Sequence, residues 1–263
     1  MHLWSKKLLA PALAGAILLT AATLVRAEGW GTIKGQVTWA GGEVPKPVVL
    51  NVDKDKEHCL SKGEIHKEEY VVNPKNKGVK WVAVYLMSVD GFPKDIPVYP
   101  ALKEIKKPVV ELDQPCCKFE PHMLAVREGQ TLLVKNSAPI AHNVNVTGGR
   151  LGPSFNQILP PGGKIKVEDM KARPTPINVA CNIHGWMGGK IFVLKNPYFA
   201  VTDDDGNFEI KNAPAGEYRL VAWHEGMGWV LGDDEPNKKG KKITIKDGGT
   251  TDLGKIPLKP SKD

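Results

Sequence analysis

Asn178-Val179-Ala180-Cys181-Asn182-Ile183-His184-Gly185-Trp186-Met187 carries three metal-donor side chains at C-x2-H-x2-M spacing. A short β-type run, 177–180, leads into it, and another, 190–194, leads out. Both are bounded and patterned as strands, so Cys181, His184 and Met187 sit on the loop that joins them. A compact loop of this length can wrap a thiolate, an imidazole and a thioether around one ion. Thiolate and thioether are soft donors, and with imidazole they suit copper in both of its oxidation states.

A trigonal copper site needs a second imidazole from elsewhere in the chain. His142 is the natural source, in Asn136-Ser137-Ala138-Pro139-Ile140-Ala141-His142-Asn143-Val144, where a turn enters a strand. Of the seven histidines, His2 lies in a leader-like segment, and His58 and His66 lie in a charged stretch. His122 and His224 stay open as alternatives, without a comparable context. A single cysteine in the loop favours one metal ion over a binuclear centre. Structural zinc would want more than one thiolate, and no C-x-x-C-H for haem attachment is present.

Together with Phe119-Glu120-Pro121-His122-Met123-Leu124-Ala125-Val126-Arg127-Glu128-Gly129-Gln130-Thr131-Leu132, these runs resemble the cupredoxins, the blue-copper proteins that include plastocyanin, pseudoazurin and amicyanin. The C-x2-H-x2-M spacing is most similar to amicyanin. The resemblance spans residues 104–195. It implies a Greek-key β-sandwich holding one copper ion that alternates between Cu(I) and Cu(II). It implies that Cys181 gives the covalent thiolate, His142 and His184 the imidazoles, and Met187 a weak axial thioether. Asn143 matches the residue that ties the two ligand loops together by hydrogen bonds. In the family, the histidine of the Cys-His-Met loop lies in an apolar surface patch where electrons leave and partners dock. Trp186 suits such a patch, and equally suits the core.

The whole chain has 263 residues, with 27 Gly and 21 Pro scattered between short alternating runs. Strands are expected at 32–39, 79–86, 131–135, 142–147, 164–168, 207–211, 217–223 and 242–246, besides the two flanking the loop. Helical periodicity is scarce, so the fold class is all-β, in sandwiches. Residues 53–69 are highly charged and suit a loop or a short helix. Residues 1–27 combine Lys6 and Lys7, an apolar run and a Val25-Arg26-Ala27 ending, the pattern of a cleaved export signal. Losing them removes three basic residues and lowers the formal net charge from +7 to +4. Such a mildly basic surface suits an acidic redox partner, whose identity the sequence leaves open. It has no basic, aromatic-laced stretch for nucleic acid. No other segment is apolar enough to span a membrane. An exported, periplasmic setting permits disulfides.

With Cys181 on the metal, Cys59, Cys116 and Cys117 allow at most one disulfide. If 116 and 117 are extended, only one of them faces Cys59, so Cys59 pairs with Cys116 or Cys117. The C-terminal runs Phe199-Ala200-Val201-Thr202-Asp203-Asp204-Asp205-Gly206-Asn207-Phe208 and Pro214-Ala215-Gly216-Glu217-Tyr218-Arg219-Leu220 resemble the carboxypeptidase regulatory-like module, a transthyretin-like sandwich. Gly31-Thr32-Ile33-Lys34-Gly35-Gln36-Val37 is similar to its opening strand. That resemblance implies a discontinuous unit, 28–103 plus 197–263, with the cupredoxin at 104–196 inserted. The alternative is that 28–103 extends the cupredoxin. No substrate-activating group is evident. The chain therefore reads as an electron carrier rather than an enzyme, the alternative being copper binding or delivery without electron transfer.

Overall fold

The computed structural model describes residues 29–149 and 152–260. The expected export signal lies outside them. Among the described residues the order is β1 (Trp30–Trp39), α1 (Lys56–Cys59), β2 (Ala83–Met87), α2 (Pro100–Lys103), β3 (Val109–Leu112), β4 (Met123–Arg127), β5 (Thr131–Lys135), β6 (His142–Thr147), β7 (Ser154–Leu159) and β8 (Lys164–Val167). There follow β9 (Ile177–Ala180), β10 (Gly188–Leu194), β11 (Phe199–Val201), β12 (Asn207–Pro214), β13 (Gly216–His224), β14 (Gly228–Trp229), β15 (Lys241–Ile245) and β16 (Thr250–Leu258). The protein is all-β, as its alternating runs imply.

Four sheets pack in two pairs. In the first pair, the order β12-β1-β16 faces β11-β2-β13-β14, with β15 added beside β13. Ile33, Val37, Val84, Leu86, Phe208, Ile210, Leu220 and Ile256 fill the space between them. In the second pair, β4-β10-β9-β6-β7 faces β3-β5-β8. Its core includes Leu112, Val126, Leu132, Val134, Val144, Val146, Val179, Ile191 and Val193. Strands before residue 100 and after 198 thus share sheets, while 109–194 build the other pair. Residues 50–65 depart from that division. Their Val52, Cys59 and Ile65 are buried in the second core.

The two pairs meet face to face. Side chains alternate across a strand, and β2 reads Ala-Val-Tyr-Leu-Met, buried at every position. Val84 and Leu86 enter the first core, while Ala83, Tyr85 and Met87 meet Met123, Phe192 and Leu194. In β10, Ile191 and Val193 enter the second core, while Phe192 and Leu194 enter this shared layer. A strand covered on both faces needs apolar residues at every position, not every second one.

Two local expectations change. The run 79–86 is a strand only from Ala83, because Trp81 has φ 64°, which breaks the ladder. Residues 116 and 117 are not extended: they lie in a bend, with Cys117 at φ 53°. The disulfide joins Cys59 to Cys117, leaving Cys116 a buried thiol. The charged stretch is loop with the single turn α1.

His224 sits wholly buried at the end of β13, and neither ring nitrogen makes a hydrogen bond. Burial pushes its pKa down to about 4. The unfolded chain takes up this proton near pH 6.5 and the folded chain only near 4. The stability tied to the neutral ring is therefore full above about 6.5 and falls as pH drops through 4. The loss amounts to about 3 kcal/mol at one pKa unit per 1.36 kcal/mol. The unfolding free energies from urea titrations at pH 7 and pH 4 should differ less in His224→Phe, by roughly this amount. Equal pH dependence in both proteins contradicts the assignment.

Candidate metal centre

The register of β6 and β9 brings the donor loops together. Asn145 pairs with Ala180 in that antiparallel ladder. Continued past the end of β9, the register sets Asn143 level with Asn182, and His142 beside the loop that follows. Asn143 Oδ1 accepts from the backbone N–H of Asn182 at 2.6 Å and of Ile183 at 3.1 Å, and from Cys181 Sγ at 3.3 Å. Its Nδ2 donates to Asn156 Oδ1 at 2.6 Å. One side chain thus fixes the start of the Cys-His-Met loop.

The turn before His142 is held in the same way. Asn136, 1% exposed, donates from Nδ2 to the carbonyls of Ile140 and Leu159 at 2.8 and 2.9 Å. Its Oδ1 accepts from Ala138 N–H at 3.0 Å. On the other loop, Cys181 N–H donates to Met187 O at 3.2 Å and Met187 N–H to His184 O at 2.9 Å. His184 N–H donates to Cys181 Sγ at 3.4 Å. The loop is a closed turn that faces its thiol inward.

His142, Cys181 and His184 are buried and converge. Their donor atoms lie within 4.8 Å of one another, with Nδ1 of His142 2.9 Å from Nδ1 of His184, and Cys181 Sγ 3.9 Å from the latter. Met187 is buried in the same core, on the last turn of the loop. The solved structures this chain is similar to include cupredoxins. Among them are a copper-containing nitrite reductase from Thermus scotoductus SA-01 (20% identity, 38% of this chain, 27% of that one, TM-score 0.32) and a reduced amicyanin variant (22%, 42% and 97%, 0.30). A purple cupredoxin from Nitrosopumilus maritimus matches at 19% identity over 32% of this chain and 97% of that one, with TM-score 0.27. The chain thus spans about a quarter of the nitrite reductase's length. A family model described as polysaccharide lyase family 4, domain II, matches residues 191–253. Among curated proteins, none matches.

That family match replaces the carboxypeptidase regulatory-like resemblance drawn from the Asp-Gly and Pro-x-Gly turns. Those turns reverse the chain between strands in many β-sandwiches and carry little family information.

The donor geometry suits a metal ion. Two ring nitrogens, each about 2 Å from a shared ion, lie roughly 3 Å apart, as the two Nδ1 atoms do. His142 Nε2 is buried without a partner, so the ring's other nitrogen carries its polar interaction. Burial holds His142 well below the usual histidine range, at about 4, with His184 and His58 adding to the effect and Asp55 opposing it. A neutral imidazole is the form that donates to a metal. Two imidazoles and a thiol converge here, with Met187 buried in the same core, and soft sulfur beside imidazole suits copper rather than calcium.

His122, the alternative imidazole, is engaged elsewhere. Its Nε2 meets Glu225 at 2.6 Å and its Nδ1 meets Gly188 O at 3.1 Å. Trp186 is half-buried, its ring 5.1 Å from that of His184 and its Nε1–H donating to Cys117 O at 3.2 Å. It packs beside the His184 ring and stays partly exposed. The largest departure from expectation is His184 itself. Its exposure is 0%, because Asp55 Oδ2 stands 2.8 Å from Nε2. Sequence reasoning missed Asp55 and His58. The charged run read as a loop or a short helix, and the one signal tying it to the sandwich was Cys59, a single turn away.

Proposed function

We propose that this chain is an exported, mononuclear copper protein that carries single electrons between redox partners. The observation that supports the reading is the convergence of His142 Nδ1, His184 Nδ1 and Cys181 Sγ in a buried site. Copper bound there would supply a one-electron couple between Cu(I) and Cu(II). The chain's part is to keep the donors still and dry. Asn136 and Asn143 pin the two loops, so the ligands need not move when charge changes. Burial excludes water as an additional ligand. Met187 completes the set as a weak donor that tunes the site. The partner is a redox protein, with an acidic surface to match the mildly basic chain.

The test is the visible spectrum of the protein loaded with one equivalent of Cu(II). An intense thiolate-to-copper charge-transfer band is expected, and a colourless loaded protein overturns the reading. Met187→Leu should keep copper and colour while raising the reduction potential, because a weak thioether donor here would chiefly tune the potential. Loss of copper in this variant identifies Met187 as a principal ligand instead. The enclosure of His184 favours one second reading, copper storage or delivery without electron transfer. A reversible one-electron wave in voltammetry separates the two.

A further inference from the structure

The ring of His184 is closed in by the segment that precedes β2. Residues 50–65 fold back on themselves, with Leu50 N–H donating to Ile65 O at 2.8 Å, and bury Val52, Cys59 and Ile65 in the second core. The Cys59–Cys117 disulfide ties the segment to the bend before β4, and its sulfurs lie within 4.8 Å of a His184 ring nitrogen. Trp186 covers another side. The remaining direction, along Nε2, is taken by Asp55, which has φ 46° and stands just ahead of α1. Asp55 keeps 45% of its side chain in solvent while His184 keeps none. The carboxylate is thus the lid on the ring, wet outside and hydrogen-bonded inside.

We propose that residues 53–60 are a fixed cap on the metal centre, in which Asp55 is a positioning residue for His184, and that electrons do not pass through the His184 edge. The proposal rests on the copper reading above. Its chemistry follows from the ring's two nitrogens. A carboxylate at Nε2 accepts that nitrogen's proton in a hydrogen bond, leaving Nδ1 with a free lone pair toward His142 and the metal position. A carboxylate behind a ligating imidazole fixes its tautomer and raises its basicity. It also sets a negative charge one ring away from the metal, which favours the more positive, oxidised ion. In the metal-free protein, the Nδ1 proton of His142 fills the 2.9 Å gap to His184 Nδ1. A docking partner meets Asp55 and α1 instead of an imidazole edge.

The full chain is compared with Asp55→Asn, which keeps an acceptor oxygen without the charge, and Asp55→Ala, which removes both. In the metal-free wild type, ring-nitrogen NMR should show His184 protonated at Nε2. That signature should persist in Asp55→Asn and give way to mixed tautomers in Asp55→Ala. In the copper-loaded proteins both variants should retain one copper and its visible band. Asp55→Asn should shift the reduction potential upward, and Asp55→Ala should also speed reduction by a small reagent. An Nδ1-protonated His184 in the metal-free wild type overturns the proposal, as does an unchanged potential in both variants. A wild type that binds no copper sinks the copper reading alone, and the tautomer measurement then still decides whether Asp55 positions the ring.

Discussion

Cys181→Ser should abolish the intense visible band of the copper-loaded protein while leaving the fold intact. The band depends on covalent overlap between a thiolate and Cu(II), and a hydroxyl oxygen is a harder, less covalent donor. The fold should tolerate the change because serine is a slightly smaller side chain of the same shape. Its hydroxyl can also donate to Asn143 Oδ1, which now accepts from Sγ at 3.3 Å. Keeping a buried polar group paired avoids the roughly 1–3 kcal/mol cost of an orphaned one. The thermal midpoint should therefore move by only a few degrees. Absorption of the Cu(II)-loaded variant, with copper content and the thermal midpoint measured on the same sample, is the check. A band of unchanged strength would mean that the thiolate at the metal is not Cys181.

The three converging donors were legible because they obey short-range rules. A loop between two strands holds Cys181 and His184 at fixed spacing, and His142 begins a strand whose alternation is plain. The cap was not legible, for a physical reason. Asp55 meets His184 across 129 positions of chain, and a single hydrogen bond between a loop residue and a distant ring leaves no periodicity. The disulfide was half legible. Counting limits the three remaining cysteines to one disulfide at most, and which sulfur Cys59 meets depends on Cys117 adopting φ 53°, which an extended reading excludes.

Strand recognition failed where the strand is mostly solvent-facing or interrupted by Gly and Pro. β16 runs Thr-Thr-Asp-Leu-Gly-Lys-Ile-Pro-Leu, with Gly254 at φ 60° and Pro257 within it. Proline and glycine argue against a central strand. β16 is an edge strand, pairing only with β1 in parallel and slipping register between Lys34 and Gln36. The parallel partner lies more than 200 residues away, so no hairpin turn announces it. β7, Ser154–Leu159, is mostly solvent-facing, and its apolar content is too thin to show a pattern. In these places the ladder is made by a neighbour that the local sequence does not name.

Truncation after Pro197 should unfold residues 29–49 and 66–87 while leaving most of the 109–194 sandwich, with the 50–65 segment packed on it, protected. The argument can be made amide by amide. Trp81 N–H donates to Thr202 O, Val82 N–H to Thr202 Oγ1 at 2.9 Å, and Leu86 N–H to Tyr198 O at 2.9 Å. Every one of these acceptors is removed. β2 also loses both ladder partners, β11 and β13, and β1 loses both of its own, β12 and β16. Ile33, Val37, Val84 and Leu86 are left without the Phe208, Ile210, Leu220 and Ile256 that cover them. At roughly 1.5–3 kcal/mol for each large apolar side chain returned to water, the loss over these four is about 6–12 kcal/mol, as large as the net stability of an ordinary domain, about 5–15 kcal/mol. The other sandwich keeps β3 to β10 and the Cys59–Cys117 disulfide, and gives up part of the cover over Met123, Phe192 and Leu194 and the Glu225 partner of His122 and Lys190. Hydrogen exchange on the truncated and full chains tests this directly. Amides at Trp81–Leu86 should exchange at rates near those of an unfolded chain, and those at Val144 and Val193 should remain slow. Unchanged protection at Trp81–Leu86 would mean that β2 is held by the 109–194 sandwich alone, through Tyr85 and Met87 against Phe192.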